Sequence, residues 1–178
     1  YYGLPLILML LLVVFSSMSS SFRSGYNLLS NIKFASFIGI AAVGMNFCIA
    51  SGDFDISVGS MLALIAVLGG TIIGIIPGVL GVIITLFIGA GFGFINGFFV
   101  TKLRIPAFIT TLGMLYIYRA VAYIFTDNTP VAIRDPFWAF LGNGKVFGIH
   151  FAIILMVLCF VAGFIILRKT PFGRYVVA

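Results

Sequence analysis

The chain has 178 residues, of which 62% are apolar and 8% charged; an ordinary soluble domain carries roughly 25% charged residues. Too few charges remain to cover a water-facing surface, which excludes an ordinary soluble globule and implies an integral membrane protein. The net charge of +6 comes from ten Lys and Arg against four Asp and no Glu, but the basic residues gather at the ends of apolar runs. That is a mark of membrane topology, so no nucleic-acid partner is expected.

A spanning helix needs about 20 mostly apolar residues, and six candidate segments follow in chain order. The first covers residues 3–18 and ends in a serine-rich stretch. The second covers 34–50 and the third 57–76, before Pro77 and Gly78. The fourth covers 79–100. The fifth covers 107–125 behind Pro106, a residue suited to a first helical turn. The sixth covers 147–167. The fold expected is an all-α polytopic bundle of about six membrane segments, forming one domain over 1–178. No basic stretch precedes the first apolar run, as a secretory leader would require. The missing initial Met and the character of the ending lead to the expectation of a portion of a longer chain.

The best cytoplasmic markers are Lys102 with Arg104, and Arg168 and Lys169 with Arg174. Two crossings separate the clusters, so both face the cytoplasm together. Residues 126–146 are then external, 74–78 external, 51–56 on the cytoplasmic side, 19–33 external and the N-terminus inside. Arg23, Lys33, Arg134 and Lys145 fall outside. Segments two and three are near the short limit, so they also fit a hairpin with a tip, 51–56, covered by protein or a watery cavity.

The stretch "SGDFDISVG" at 51–59 holds Asp53 and Asp55, the only charged side chains between Lys33 and Lys102. Ser51 and Gly52 break the incoming helix. Asp55 stands where a helix cap belongs, able to accept from the amides of Ser57 or Val58. Capping of a broken hairpin, contact with a solute or partner, and proton transfer are the alternatives; Asp53 has no capping duty.

In segment four, Gly89, Gly93 and Gly97 recur every four residues, a face suited to helix packing in lipid or to lining a path. Asn96 beside them is either interhelical glue or a polar group toward a solute path. Thr110 and Thr111 open segment five, where their hydroxyls either bond the preceding turn or face a path. Arg119 lies in mid-segment, and such a charge either snorkels or faces a cavity or a carboxylate. Tyr116, Tyr118 and Tyr123, with Trp138 in the external loop, fit an interfacial aromatic belt. The external loop reads as a solvated connection, or as a docking surface. Cys48 and Cys159 read as small buried apolar groups, and His150 has no metal-ligand spacing around it. No GxSxG, HExxH or GxxxxGK pattern is present, so no catalytic residue and no metal site is expected.

Three blocks carry a resemblance. "SGDFDISVGSMLAL" is similar to a stretch near the front of sugar-type ABC transporter permeases of the ribose, arabinose and xylose branch. "GFGFINGFFVTKLRIPAFITTLGMLYIYRAVAYIFTDNTPV" is similar to that family's next block. "TPFGRYVVA" resembles the start of the cytoplasmic loop that precedes the segment engaging the ATPase. The resemblance runs from about Ala35 to Ala178 and reads most like L-arabinose permeases, with other pentose and furanose permeases open. It implies a multi-pass permease subunit of an ATP-driven monosaccharide importer in the bacterial inner membrane. It implies as partners a second permease subunit, a likeness pointing to a homodimer, a cytoplasmic ATP-binding subunit that uses the ATP, and an extracytoplasmic sugar-binding protein. The chain itself would bind no cofactor and catalyse no reaction. Asn96, Thr110, Thr111 and Arg119 are the expected path-lining or gating residues, and Phe172, Gly173 and Arg174 the ATPase-facing loop. The rival readings are a proton-coupled secondary transporter using Asp53 or Asp55, and a structural or assembly membrane protein.

Overall fold

A computed structural model describes residues 3–177. The described residues are mostly helical and include five helices long and apolar enough to cross a membrane. α1 (Gly3–Met18) is apolar but only 16 residues long. At 1.5 Å per residue it reaches about 24 Å, short of the ~30 Å hydrocarbon core.

α2 (Gly25–Ala50) starts nine residues earlier than the apolar pattern indicates. Its first turns are polar, and apolar periodicity is blind to them. Ser24 fixes this start, its side chain accepting from the Asn27 amide. The 26-residue helix is about 39 Å long and exceeds the hydrocarbon thickness, so a polar turn extends beyond it or the helix tilts.

α2 ends in a glycine-dependent reversal. Gly52 has φ +84°, its amide donates to Ile49 O, and the Asp53 amide donates to Cys48 O. This pair of bonds is a Schellman closure, which places glycine where a side chain would be strained. A short extended stretch then leads into α3 (Val58–Ile75).

α3 does not pack along α2. α3 packs against α5 (Ala107–Thr126) and α4 (Val79–Thr101), whereas α2 packs against α7 (Phe151–Lys169). The chain therefore builds two helix groups, α3–α4–α5 and α2–α7, joined by residues 51–57. Leu64, Tyr118 and Ala122 form the buried centre of the first group. In the second, Gly39 lies against Met156 and Gly163 against Val43, so bare backbone meets side chain across the α2–α7 seam.

The stretch after α5 is more than a solvated connection. Asp127 and Asn128, both with positive φ, stop α5; these residue types tolerate the left-handed region. α6 (Pro136–Asn143) follows, with Asp135 capping it by accepting from the amides of Phe137 and Trp138 at 2.9 and 3.0 Å. A two-residue hairpin, β1 (Lys145–Val146) with β2 (Ile149–His150), leads into α7. Val131 and Ile133 lie against Gly70, and Trp138 and Thr85 against Gly69. Asp135 Oδ2 also accepts from the Gly78 amide in the α3–α4 turn, at 3.0 Å. Lys33 Nζ donates to Asn143 Oδ1 at 2.5 Å. Residues 33, 78 and 135–143 thus meet at one end of the bundle, as the alternation of spans requires.

Residues 171–177 form a short helix, α8 (Pro171–Val177), rather than a loop. Gly173 is buried there, and a Cβ on it would run into the backbone carbonyls of Leu167 and Ile166. Glycine is what allows α8 to fold tightly under the end of α7. Phe172 and Arg174 remain exposed.

Candidate functional site

At the opposite end of the bundle from Asn143, the 51–57 connection, α4 and α5 share a polar network. Asp55 Oδ1 accepts from the Ser57 amide at 2.8 Å and from the Ser57 hydroxyl at 2.6 Å. Asp55 thus bonds the Ser57 amide and not that of Val58, and the cap position of α3 falls on Ser57, whose side chain makes no cap bond. Asn96 Nδ2 donates to Ser57 Oγ at 2.8 Å and to Asp55 Oδ2 at 3.2 Å. Asn96 Oδ1 accepts from the Tyr118 hydroxyl at 2.8 Å, and that hydroxyl also lies 3.1 Å from Phe92 O.

Every polar atom of the Asn96 amide group is engaged inside the fold, and its side chain is buried. Of the two sequence readings for Asn96, interhelical bonding is therefore the one its contacts display. Ser57 is fully buried, yet its hydroxyl both donates and accepts, so the desolvation of these groups is offset. The network ties the 51–57 connection to α4 and α5 roughly 8 Å above the end of α4.

Beside this network lies a cavity of about 220 Å³. Asp53, Asp55, Asn96 and Thr111 line it, and Gly93 and Gly97 leave its α4 wall without side chains. Of the three-glycine face, only Gly89 meets another helix, at Ile65; Gly93 and Gly97 have open space where a Cβ would stand. Within this chain Gly93 and Gly97 therefore meet no neighbouring helix, and the packing and path-lining readings of that face both stay open. Cys48 also lines the cavity, so it is not the plain buried apolar group its surroundings in sequence suggest.

Thr111 is buried and its hydroxyl makes only long contacts, 3.4 Å to Phe54 O and 3.5 Å to Phe108 O. Thr110, next to it, points elsewhere: it is buried, and its hydroxyl has no partner among the described residues. Arg119 is exposed on the same α5 face as Tyr116 and Tyr123 and is not part of the cavity lining. Phe172, Gly173 and Arg174 sit on α8, where Phe172 stacks at a tilt on Phe47, 6.4 Å between ring centres. Tyr118 is a buried network member rather than a belt residue; its period-matched position opposite Asn96 was hidden because tyrosines at membrane surfaces look the same in sequence.

Comparison with known proteins supplies the family. Residues 27–178 match the family model described as "Branched-chain amino acid transport system / permease component". The chain is 36% identical to the L-arabinose transport system permease protein of Escherichia coli (strain K12), over 99% of this chain and 54% of that protein. It is 36% identical to the ribose import permease protein of Bacillus subtilis (strain 168), over 94% of this chain and 53% of that protein. It is 33% identical to the L-arabinose ABC transporter permease protein of Azospirillum brasilense, over 97% of this chain and 52% of that protein. The chain thus spans about half the length of the curated relatives it matches. No solved structure matches it. The chain belongs to this family of membrane permease components.

Proposed function

We propose that the protein is a permease subunit of an ATP-driven importer of monosaccharides, with a pentose as the favoured cargo. The observation that carries this reading is the 36% identity to arabinose and ribose permeases over nearly the whole chain. The subunit works in the bacterial inner membrane and performs no chemistry itself. A cytoplasmic ATP-binding subunit uses the ATP and a sugar-binding protein on the outer side delivers the cargo. A second copy of the permease completes the path.

The positive-inside rule places the Asp55 end of the bundle and α8 at the cytoplasm. Arg168 and Lys169 close α7 and Arg174 lies on α8, all at one end. That basic end, with exposed Phe172, is the surface we assign to the ATP-binding subunit. Asn96, Thr110, Thr111 and Arg119 retain the proposed path or gating role, with Asn96 acting through the shape of the network.

The test is uptake of radiolabelled L-arabinose and ribose into vesicles that hold the full-length permease, its ATP-binding subunit and its binding protein. Uptake is expected only with ATP and all three components. Uptake that follows an imposed pH gradient with the ATP-binding subunit absent would overturn the reading in favour of a proton-coupled carrier. Co-purification of the permease with no ATP-binding subunit, and no uptake, would favour an assembly protein.

A further inference from the structure

Resting on the transport reading above, we infer that the cavity between the 51–55 connection, α4 and α5 is a transient binding site for a neutral polyhydroxylated solute on the cytoplasmic side, with Asp53 as its principal hydrogen-bond acceptor.

The two carboxylates of this stretch divide their work. Every side-chain carboxylate bond in the connection goes to Asp55, from Ser57 and Asn96. Asp53 is exposed, lines the cavity, and among the described residues its carboxylate caps nothing. Its backbone amide is fixed by the bond to Cys48 O, so the Asp53 backbone is held at the cavity while its carboxylate oxygens stay available.

Chemistry narrows the ligand. Asp55 already holds three bonds inside the fold, so Asp53 is the carboxylate with none, and a hard cation such as Ca²⁺ takes 6–8 oxygens. A carboxylate does, however, accept strongly from neutral hydroxyl groups. Thr111 offers a buried hydroxyl with only long contacts inside the fold. Phe54, 59% exposed, borders the same cavity with an apolar ring that suits the carbon face of a sugar. Gly93 and Gly97 present a side-chain-free wall.

Size agrees with these groups. At about 220 Å³ the cavity falls below the roughly 300–1,000 Å³ of sites for drug-sized ligands. Few fixed donors and one free carboxylate give weak binding, which a path needs so that the solute leaves.

The experiment uses the full-length permease with its two partners in vesicles, in a background in which every permease cysteine except Cys48 is replaced by alanine. Two quantities are read: ATP-driven uptake of the transported sugar, and the rate at which a water-soluble thiosulfonate labels Cys48. Asp53→Asn is expected to slow uptake several-fold, and Asp53→Glu to restore most of it. Sugar at millimolar concentration is expected to slow Cys48 labelling in the parent and not in Asp53→Asn. The thermal midpoint of Asp53→Asn should equal the parent's, since its carboxylate supports no bond in the fold. Parent uptake with full activity in Asp53→Asn and sugar-insensitive labelling would overturn the site alone. Absence of ATP-driven uptake in the parent would instead overturn the transport reading.

Discussion

Asn96 of α4 and Tyr118 of α5 are joined by a 2.8 Å hydrogen bond, with the tyrosine donating and both side chains buried. Because Asn96 also donates to Ser57 and Asp55, this contact is the far end of a chain that fixes the α2–α3 connection. Asn96→Leu removes three bonds; Tyr118 keeps Phe92 O as an acceptor, while Asp55 and Ser57 keep their bonds to each other but lose the donor that covered Asp55 Oδ2 and Ser57 Oγ. An interhelical bond in lipid averages about 0.6 kcal/mol, and each stranded buried group adds roughly 1 kcal/mol or more. The expected loss is about 2–4 kcal/mol, read from unfolding in mixed micelles. A loss under about 0.5 kcal/mol would show that the network contributes nothing to stability.

Asp55→Asn tests the cap separately. Its carbonyl oxygen still accepts from the Ser57 amide, but its NH₂ group meets the Asn96 NH₂ that bonded Asp55 Oδ2. The expected cost is about 1 kcal/mol, and Asp55→Ala should cost up to about 2 kcal/mol. Faster amide exchange is expected over the first turn of α3. Equal stability of the two variants would remove the capping argument.

Gly173→Val places a branched side chain into the Leu167 and Ile166 carbonyls. α8 should detach from the end of α7, seen as protease cutting between Thr170 and Val177, while the spans stay folded. If α8 is the surface for the ATP-binding subunit, the same variant loses co-purification with it. Unchanged cutting would mean that the tight approach at Gly173 is dispensable.

Asp135→Ala removes the cap of α6 and the bond to the Gly78 amide together. A lost cap costs roughly 0.5–2 kcal/mol. Deuterium uptake should rise both in 136–143 and at the α3–α4 turn. A rise confined to α6 would show that Asp135 does not hold the two loops together.

Much of this fold was legible because lipid demands long apolar runs, and five of the six expected segments are span-length helices. The polar turns of α2 were invisible because Tyr26, Asn27 and Lys33 break the apolar pattern while Ser24 still caps the helix. Pairing was not legible either. Nothing in the composition of α2 says that its partner is α7 rather than α3, since both offer glycines and β-branched residues. At the site, Asp55 and Asn96 drew attention as rare polar groups in apolar runs. That Asn96 turns inward to Ser57 and Tyr118, while Asp53 stays unengaged, depends on backbone directions set by the Gly52 reversal.

The pairing of α2 with α7 has a consequence for synthesis. Phe151 is made about 100 residues after Ala50, an interval on the order of 5–20 s at 5–20 residues per second. Throughout it, α2 has no helix to receive Gly39 and Val43, while α3, α4 and α5 are already able to assemble with one another. The newborn chain therefore passes through a stage in which its second helix is a lone guest in the bilayer, and that is when a membrane chaperone or quality-control protease would find it.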